Sequence, residues 1–210
     1  MNIGVFGGSF DPIHYGHLLL AQQCLDLAKL DKILFVPAAK SPLKATSPIA
    51  DNKARLEMLQ LAIADHPNFE ISNLEMERGG TSYTVDTLRQ LKELRPADSL
   101  YLLIGLDSLA DLGKWREPEE IVKLAELMIV DRNTSSEFRD QSFDWKILAP
   151  LVEQQRIDSW QESLLATQRF DFSSTDLRNR IAEGKNIRYR TSRAVEKYIE
   201  TQNLYKKVTA

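Results

Sequence analysis

The chain has 210 residues, 43% of them hydrophobic and 27% charged, a balance that suits one soluble globular α/β domain with a sizeable core. Its formal net charge of −3 lacks the basic excess of a protein that grips a nucleic-acid polymer, yet permits a local positive pocket for small phosphorylated ligands. The single cysteine, Cys24, cannot form an internal disulfide, no apolar run approaches the ~18 residues of a membrane helix, and the N-terminus lacks a signal-peptide pattern, so a cytoplasmic protein without membrane contact is expected.

Residues 2–7 form a β-branched and aromatic run that ends at Gly7-Gly8, which predicts a buried strand. A helical pattern follows with Leu18, Leu19, Ala21, Gln22, Leu25 and Ala28. Residues 33–36 predict a second strand, stopped by Pro37, and residues 38–50 a loop rich in Pro, Ser and Lys. Helices are predicted over 55–64, 84–94 and 118–124, and strands over 69–71, 100–104 and 127–130. The polar segment 133–170 reads as a variable part carrying one helix near 148–157. Ser173-Ser174-Thr175-Asp176 then opens a helix with hydroxyl caps and an acid in the first turn, Gly184 is its stop, and a last helix runs over about 192–201.

Strands alternating with helices imply βαβ units and a parallel sheet. Right-handed crossovers then give a Rossmann-like, doubly wound α/β fold, here with a small C-terminal helical part. The expected organisation is a single domain over 1–210. Its main sheet is expected within about 1–132 and its C-terminal helices over about 171–210. Ligands in such sheets sit beyond the carboxyl ends of the strands.

The densest chemistry lies in Gly7-Gly8-Ser9-Phe10-Asp11-Pro12-Ile13-His14-Tyr15-Gly16-His17, which leaves a strand and opens a helix. Glycines let a backbone approach phosphate closely, and N–H groups at a helix start favour an anion. His14 and His17 are three apart and share a helix face. The dinucleotide pattern G-x-G-x-x-G and the Walker pattern ending in G-K-[ST] are both absent. A zinc site would need a third ligand near the two histidines, so no metal site is assigned to the protein. His66, before Pro67, reads as a solvated loop residue, and Asp11 as a structural turn residue before Pro12. A second constellation, Phe172 to Arg178, combines a capped helix start with an arginine one turn in, able to meet a phosphate bidentately.

Together the two motifs resemble the nucleotidyltransferases that share the HxGH signature, and within them the bacterial nicotinate mononucleotide adenylyltransferases. Ser82-Tyr83-Thr84-Val85-Asp86-Thr87-Leu88 is similar to the family's S-Y-T-x-x-T-L segment, and Ile104-Gly105-Leu106-Asp107-Ser108-Leu109 to its I-G-x-D-S-L segment. Trp115 falls where the family carries a tryptophan, and the ending Tyr198-Ile199 to Leu204-Tyr205 is similar as well. The resemblance implies AMP transfer from ATP to nicotinate mononucleotide, giving deamido-NAD and pyrophosphate, with Mg²⁺ carried by the ATP. It implies His14, His17 and Arg178 as catalytic residues. It implies Gly8, Ser9, Phe10, His17, Gly105, Asp107, Ser174, Thr175 and Arg178 at ATP. It implies Lys44, Tyr83, Thr84, Trp115 and Arg132 at the acceptor, with Trp115 stacking on the pyridine and Thr84 near its carboxylate. The expected partners are thus the two nucleotides, with no nucleic-acid polymer among them; the oligomeric state is left open.

Two departures stand out. The family's P-P-H-K loop reads Ser41-Pro42-Leu43-Lys44 here, and Arg188-Tyr189-Arg190 is more basic than the family's apolar stretch, either as a solvated face or as an extra phosphate contact. The competing readings are an adenylyltransferase for another acceptor, nicotinamide mononucleotide or phosphopantetheine, and a non-catalytic nucleotide sensor on the same fold.

Overall fold

The structure is a computed structural model, and it describes residues 1–42, 48–131, 143–166 and 172–207. Six parallel strands form one sheet: β1 (Asn2–Gly8), β2 (Lys32–Pro37), β3 (Phe69–Ile71), β4 (Ser99–Gly105), β5 (Glu126–Asp131) and β6 (Leu165–Ala166), in the order β3-β2-β1-β4-β5-β6. The chain winds outward from β1 through β2 to β3. It then returns to place β4 on the other side of β1, with Ile3 paired to Lys32 on one flank and to Leu100 on the other. The reversal leaves a crevice beyond the carboxyl ends of β1 and β4, where Gly7, Gly8 and Gly105 lie, and ligands of doubly wound sheets occupy such switch points.

The strands bury both faces, and the period-2 alternation sorts their side chains into two cores. Phe6, Ile33, Phe35, Leu103, Met128 and Val130 point to one face, and Ile3, Val5, Leu34, Val36, Leu100, Leu102, Ile104, Leu127 and Ile129 to the other. The first face is covered by α1 (Tyr15–Leu27) and α2 (Asn52–Ile63). The second is covered by α4 (Thr84–Leu94), α6 (Pro118–Leu124) and α7 (Gln154–Glu162). Two short helices complete the middle of the chain, α3 (Leu74–Arg78) and α5 (Leu106–Leu109); neither is long enough to show a helical period in the sequence.

The C-terminal helices α8 (Ser174–Ala182) and α9 (Arg193–Thr201) join the first face, burying Leu177, Val195 and Ile199. Both start on serine caps, Ser173 accepting from the Asp176 N–H and Ser192 from the Val195 N–H. Gly184 follows α8 at φ 72°, a left-handed position that suits glycine. Among the described residues no helix is long and apolar enough to cross a membrane.

The sheet runs one strand beyond the 1–132 span expected for it, because β6 comes from the segment read as variable. That segment also sends Ile157 and Trp160, each 1% exposed, into the second core. Its helix is α7, six residues later than the 148–157 start expected, and a 3-10 turn occupies Trp145–Leu148. The reason is tertiary. Trp160 donates its indole N–H to Glu126 Oε1, and Arg156 pairs with Glu126 at 2.8 Å, so the helix is anchored on the edge of β5.

Candidate active site

The loop that leaves β1 carries the first motif into the crevice. Asp11, 4% exposed, is its anchor. The carboxylate accepts from the N–H groups of Ile49 (2.8 Å) and Ala50 (3.1 Å) and from the Tyr205 hydroxyl (2.8 Å). Asp11 is therefore the structural residue expected, and it binds the end of the 38–50 loop to the first motif. Burial, reinforced by the Asp11 charge, holds the Tyr205 hydroxyl far above the usual tyrosine range.

Four more side chains hold the same loop by its carbonyls. Arg55 Nη1 donates to Ser9 (2.7 Å), Arg178 Nη1 to Asp11 (2.6 Å), Ser174 Oγ to Pro12 (2.9 Å) and Thr191 Oγ1 to Ile13 (2.9 Å). Where the held peptide is trans, as at Ser9–Phe10, the N–H on its other edge is turned the opposite way. The Phe10 backbone sits in the left-handed region at φ 45° while its ring is 1% exposed, packed against Phe6, Phe35 and His17. Gly8 makes room for that ring, since a Cβ there would lie 2.9 Å from Phe10 Cζ.

His14 is the N-cap of α1, and its ring stacks on that of His17 with centroids 3.7 Å apart and planes at 24°. The His14 N–H points to His17 Nδ1 at 3.4 Å. An accepting Nδ1 carries no hydrogen, so the neutral tautomer of His17 has its N–H on Nε2. Gly16 leaves room for this pair. A Cβ at Gly16 would come within 3.0 Å of His14 Cε1 and Nδ1 and 3.2 Å of Phe172 Cβ.

A cleft of about 1450 Å³ unites the two motifs. Its walls include Gly8, Ser9, Phe10, His14, His17, Gly105, Asp107, Ser174, Thr175 and Arg178, together with Tyr83, Thr84 and Trp115. All the expected site residues among those described thus face one cavity. Lys44 and Arg132 lie outside the described residues, as does Leu43. Arg178 uses Nη1 on the Asp11 carbonyl and Nη2 on Thr175 Oγ1 (3.1 Å), two of its five N–H groups. Ser174 gives its hydroxyl hydrogen to Pro12, so its remaining assets toward the cleft are a lone pair and the start of α8.

In the same cleft α4 begins at Thr84, where the first N–H groups have no acceptor within the helix. Ser82, 7% exposed, shapes the approach by accepting the Ala39 N–H. Also lining the cleft, Thr87 donates to the buried Glu75 at 2.6 Å, and Arg78 donates to Thr87 at 3.0 Å. Trp115 is half-buried, and its indole N–H has no hydrogen-bond partner among the described residues.

Of Arg188-Tyr189-Arg190, Arg188 and Tyr189 are exposed, in keeping with the solvated-face alternative, while Arg190 is half-buried and pairs with Asp176 at 2.7 Å; none of the three lines the cleft. Two other sequence readings need adjustment. His66 is not a solvated loop residue, since its ring stacks on Phe69 at 3.7 Å and Nε2 meets Gln22 Oε1 at 2.6 Å. Arg55, read only as the first residue of a helix, is 0% exposed and touches the loop. The signal was its spacing: positions 55, 58, 59 and 62 share one helix face, so Arg55 stands on the core side of α2.

A family model described as cytidylyltransferase-like matches residues 5–180. The chain is 40% identical over 204 residues to a Rhodopirellula baltica protein named "Probable nicotinate-nucleotide adenylyltransferase", covering 97% of this chain and 93% of that one. It is 42% identical over 206 residues to a Thermus thermophilus protein of the same name, covering 98% and 100%. Among solved structures it is similar to Plasmodium falciparum nicotinic acid mononucleotide adenylyltransferase complexed with NaAD, with a TM-score of 0.72, 22% identity and 97% of each chain covered. At that identity the likeness shows the fold.

Proposed function

The chain belongs to the cytidylyltransferase-like family, and within it to the nicotinate-nucleotide adenylyltransferases; on that premise we propose that it transfers AMP from ATP to nicotinate mononucleotide, giving deamido-NAD and pyrophosphate. The observation that carries the reading is the single cleft at the β1/β4 switch point. It joins the His14–His17 pair and the start of α8 to the Tyr83, Thr84 and Trp115 wall. A triphosphate and an acceptor nucleotide can meet there.

A phosphate monoester has a second pKa of about 6 and is largely a dianion at neutral pH, so the acceptor needs no general base. Its oxygen attacks the α-phosphorus of ATP in line, the new O–P bond forms, and the bond to the β-phosphate oxygen breaks as pyrophosphate leaves. The protein's task is to hold two polyanions together and to stabilise the charge that develops. We assign His14 and His17 to the α-phosphate region, with His17 donating through Nε2, and the backbone of Gly8, Ser9 and Phe10 to the same phosphate. Thr175, Arg178 and the N-terminus of α8 take the β- and γ-phosphates. Gly105 and Asp107, where β4 passes into α5, take the nucleoside of ATP. The Mg²⁺ enters on ATP oxygens with its own waters and is given no protein ligand.

For the acceptor, Trp115 supplies the face on which the pyridine stacks, with Tyr83 beside it, and the first N–H groups of α4 at Thr84 meet the carboxylate. Lys44 and Arg132 are assigned to acceptor phosphate charge on the family match alone. The test is pyrophosphate release from Mg-ATP with nicotinate mononucleotide and nicotinamide mononucleotide in parallel. A strong preference for the acid supports the reading and shows that Leu43 is tolerated. Equal rates make the enzyme dual-specific. No release with either overturns the acceptor assignment and turns attention to phosphopantetheine and then to a nucleotide sensor.

A further inference from the structure

Arg55 is the one guanidinium among the described residues that is 0% exposed, and burying a charge is costly unless it is paired and hydrogen-bonded. Its partners are polar atoms of the phosphate loop and of its own helix. Nη1 donates to the Ser9 carbonyl at 2.7 Å, and Nη2 donates to Asn52 Oδ1 at 2.7 Å. The charged neighbours that face it are Asp11 and Asp51, with the Tyr205 phenol alongside. The Ser9–Phe10 peptide is trans, so its C=O and N–H point in opposite directions. With the carbonyl drawn inward to α2, the Phe10 N–H is turned to the other side of the loop, where Ser9 and Phe10 border the cleft. Phe10 itself sits in the left-handed region at φ 45°. A strained non-glycine residue of this kind persists only where its surroundings over-determine it.

We infer that Arg55 is a positioning residue for adenylyl transfer: by holding the Ser9 carbonyl it aims the Phe10 N–H at the α-phosphate of ATP, and its buried charge sits beneath that phosphate. The inference rests on the adenylyl-transfer reading. Arg55 touches no reacting atom and acts through one peptide plane. A preorganised backbone donor aimed where charge develops needs no reorientation during the reaction, and in a water-excluded site it is worth far more than in water.

Two measurements test it. In ¹⁵N-labelled wild-type protein, titration with Mg²⁺ and a non-cleavable α,β-methylene analogue of ATP shifts the Phe10 amide proton strongly downfield. In Arg55→Met that shift is lost, kcat falls by about 10- to 100-fold, and the KM for the acceptor stays within about twofold. Arg55→Lys, which retains a donor and the charge, recovers part of kcat. A merely structural arginine would lower the melting temperature and the active fraction without splitting kcat from the acceptor KM. Analogue binding to the wild type with no change at the Phe10 amide overturns the inference alone, even if Arg55→Met does not fold. A folded Arg55→Met enzyme with wild-type kcat does the same. Failure of the analogue to bind at all overturns the adenylyl-transfer reading instead.

Discussion

The hydroxyl of Tyr205 donates to Asp11 Oδ1 over 2.8 Å, across 194 positions of sequence. The same carboxylate holds Ile49 and Ala50, so one buried acid fastens the first motif, the end of the 38–50 loop and the C-terminal segment. Tyr205→Phe removes the donor and leaves the ring. The expected cost is about 1–3 kcal/mol, the usual loss for a hydrogen bond to a buried charged group, together with reduced turnover. Urea unfolding followed by tryptophan fluorescence measures the first effect. An unchanged midpoint would show that the carboxylate is satisfied without Tyr205.

His17→Ala removes the Nε2 donor from the cleft, together with a half-buried ring that packs on Phe10 and His14. Turnover is expected to fall by about 10²- to 10³-fold, as when a transition-state donor is deleted, while circular dichroism and the melting temperature stay near wild type. A folded His17→Ala protein with wild-type rate would remove the central mechanistic claim.

Gly16→Ala places a methyl within 3.0 Å of the His14 ring. The His14 ring must then give by a few tenths of an ångström, which disturbs its stack on His17. The expected result is a kcat loss of at least ~10-fold with a smaller fractional change in stability, on the order of 1–3 kcal/mol for a local overpacking strain. Steady-state kinetics beside thermal melting checks the split.

Trp115→Phe keeps an aromatic face and Trp115→Ala does not. If the pyridine stacks there, the acceptor KM rises modestly in the first and by roughly 10-fold in the second, on the scale of base–aromatic stacking of about 1–3 kcal/mol, while the KM for Mg-ATP holds. Equal effects on both substrates would assign Trp115 to packing.

Cys24 is fully buried in the first core, and burial pushes its thiol up to about 12. The unfolded thiol ionises near the ordinary value of 9.0, whereas the folded one keeps its proton. The unfolded state therefore gains from rising pH, and this contribution to stability is present below about pH 9 and lost toward pH 12. Native protein at pH 8 should resist iodoacetamide and react only after denaturation, which mass spectrometry reads directly. Rapid labelling of folded protein would contradict the burial.

The local chemistry was legible from the residues. The run 2–7, the continuous apolar runs 100–104 and 127–130, and the Ser173 cap each appear in the fold as strands and a helix start, because short buried strands and capping are written in neighbours a few positions apart. The short β6 and the helices α3 and α5 were not legible, since two to five residues carry no period.

What the sequence by itself determined was the doubly wound α/β class, the family, and the two motifs whose backbone and side-chain chemistry suits phosphate. Only the tertiary structure decided that Ser174 and Arg178 brace the loop of the first motif, that Arg190 is committed to Asp176, and that Asp11, Arg55 and Tyr205 meet beneath Ser9. The physical reason is that these bonds join positions from 14 to 194 residues apart. Their existence depends on chain folding to bury a carboxylate and a guanidinium together, and no local pattern encodes which distant donor a buried carbonyl will find.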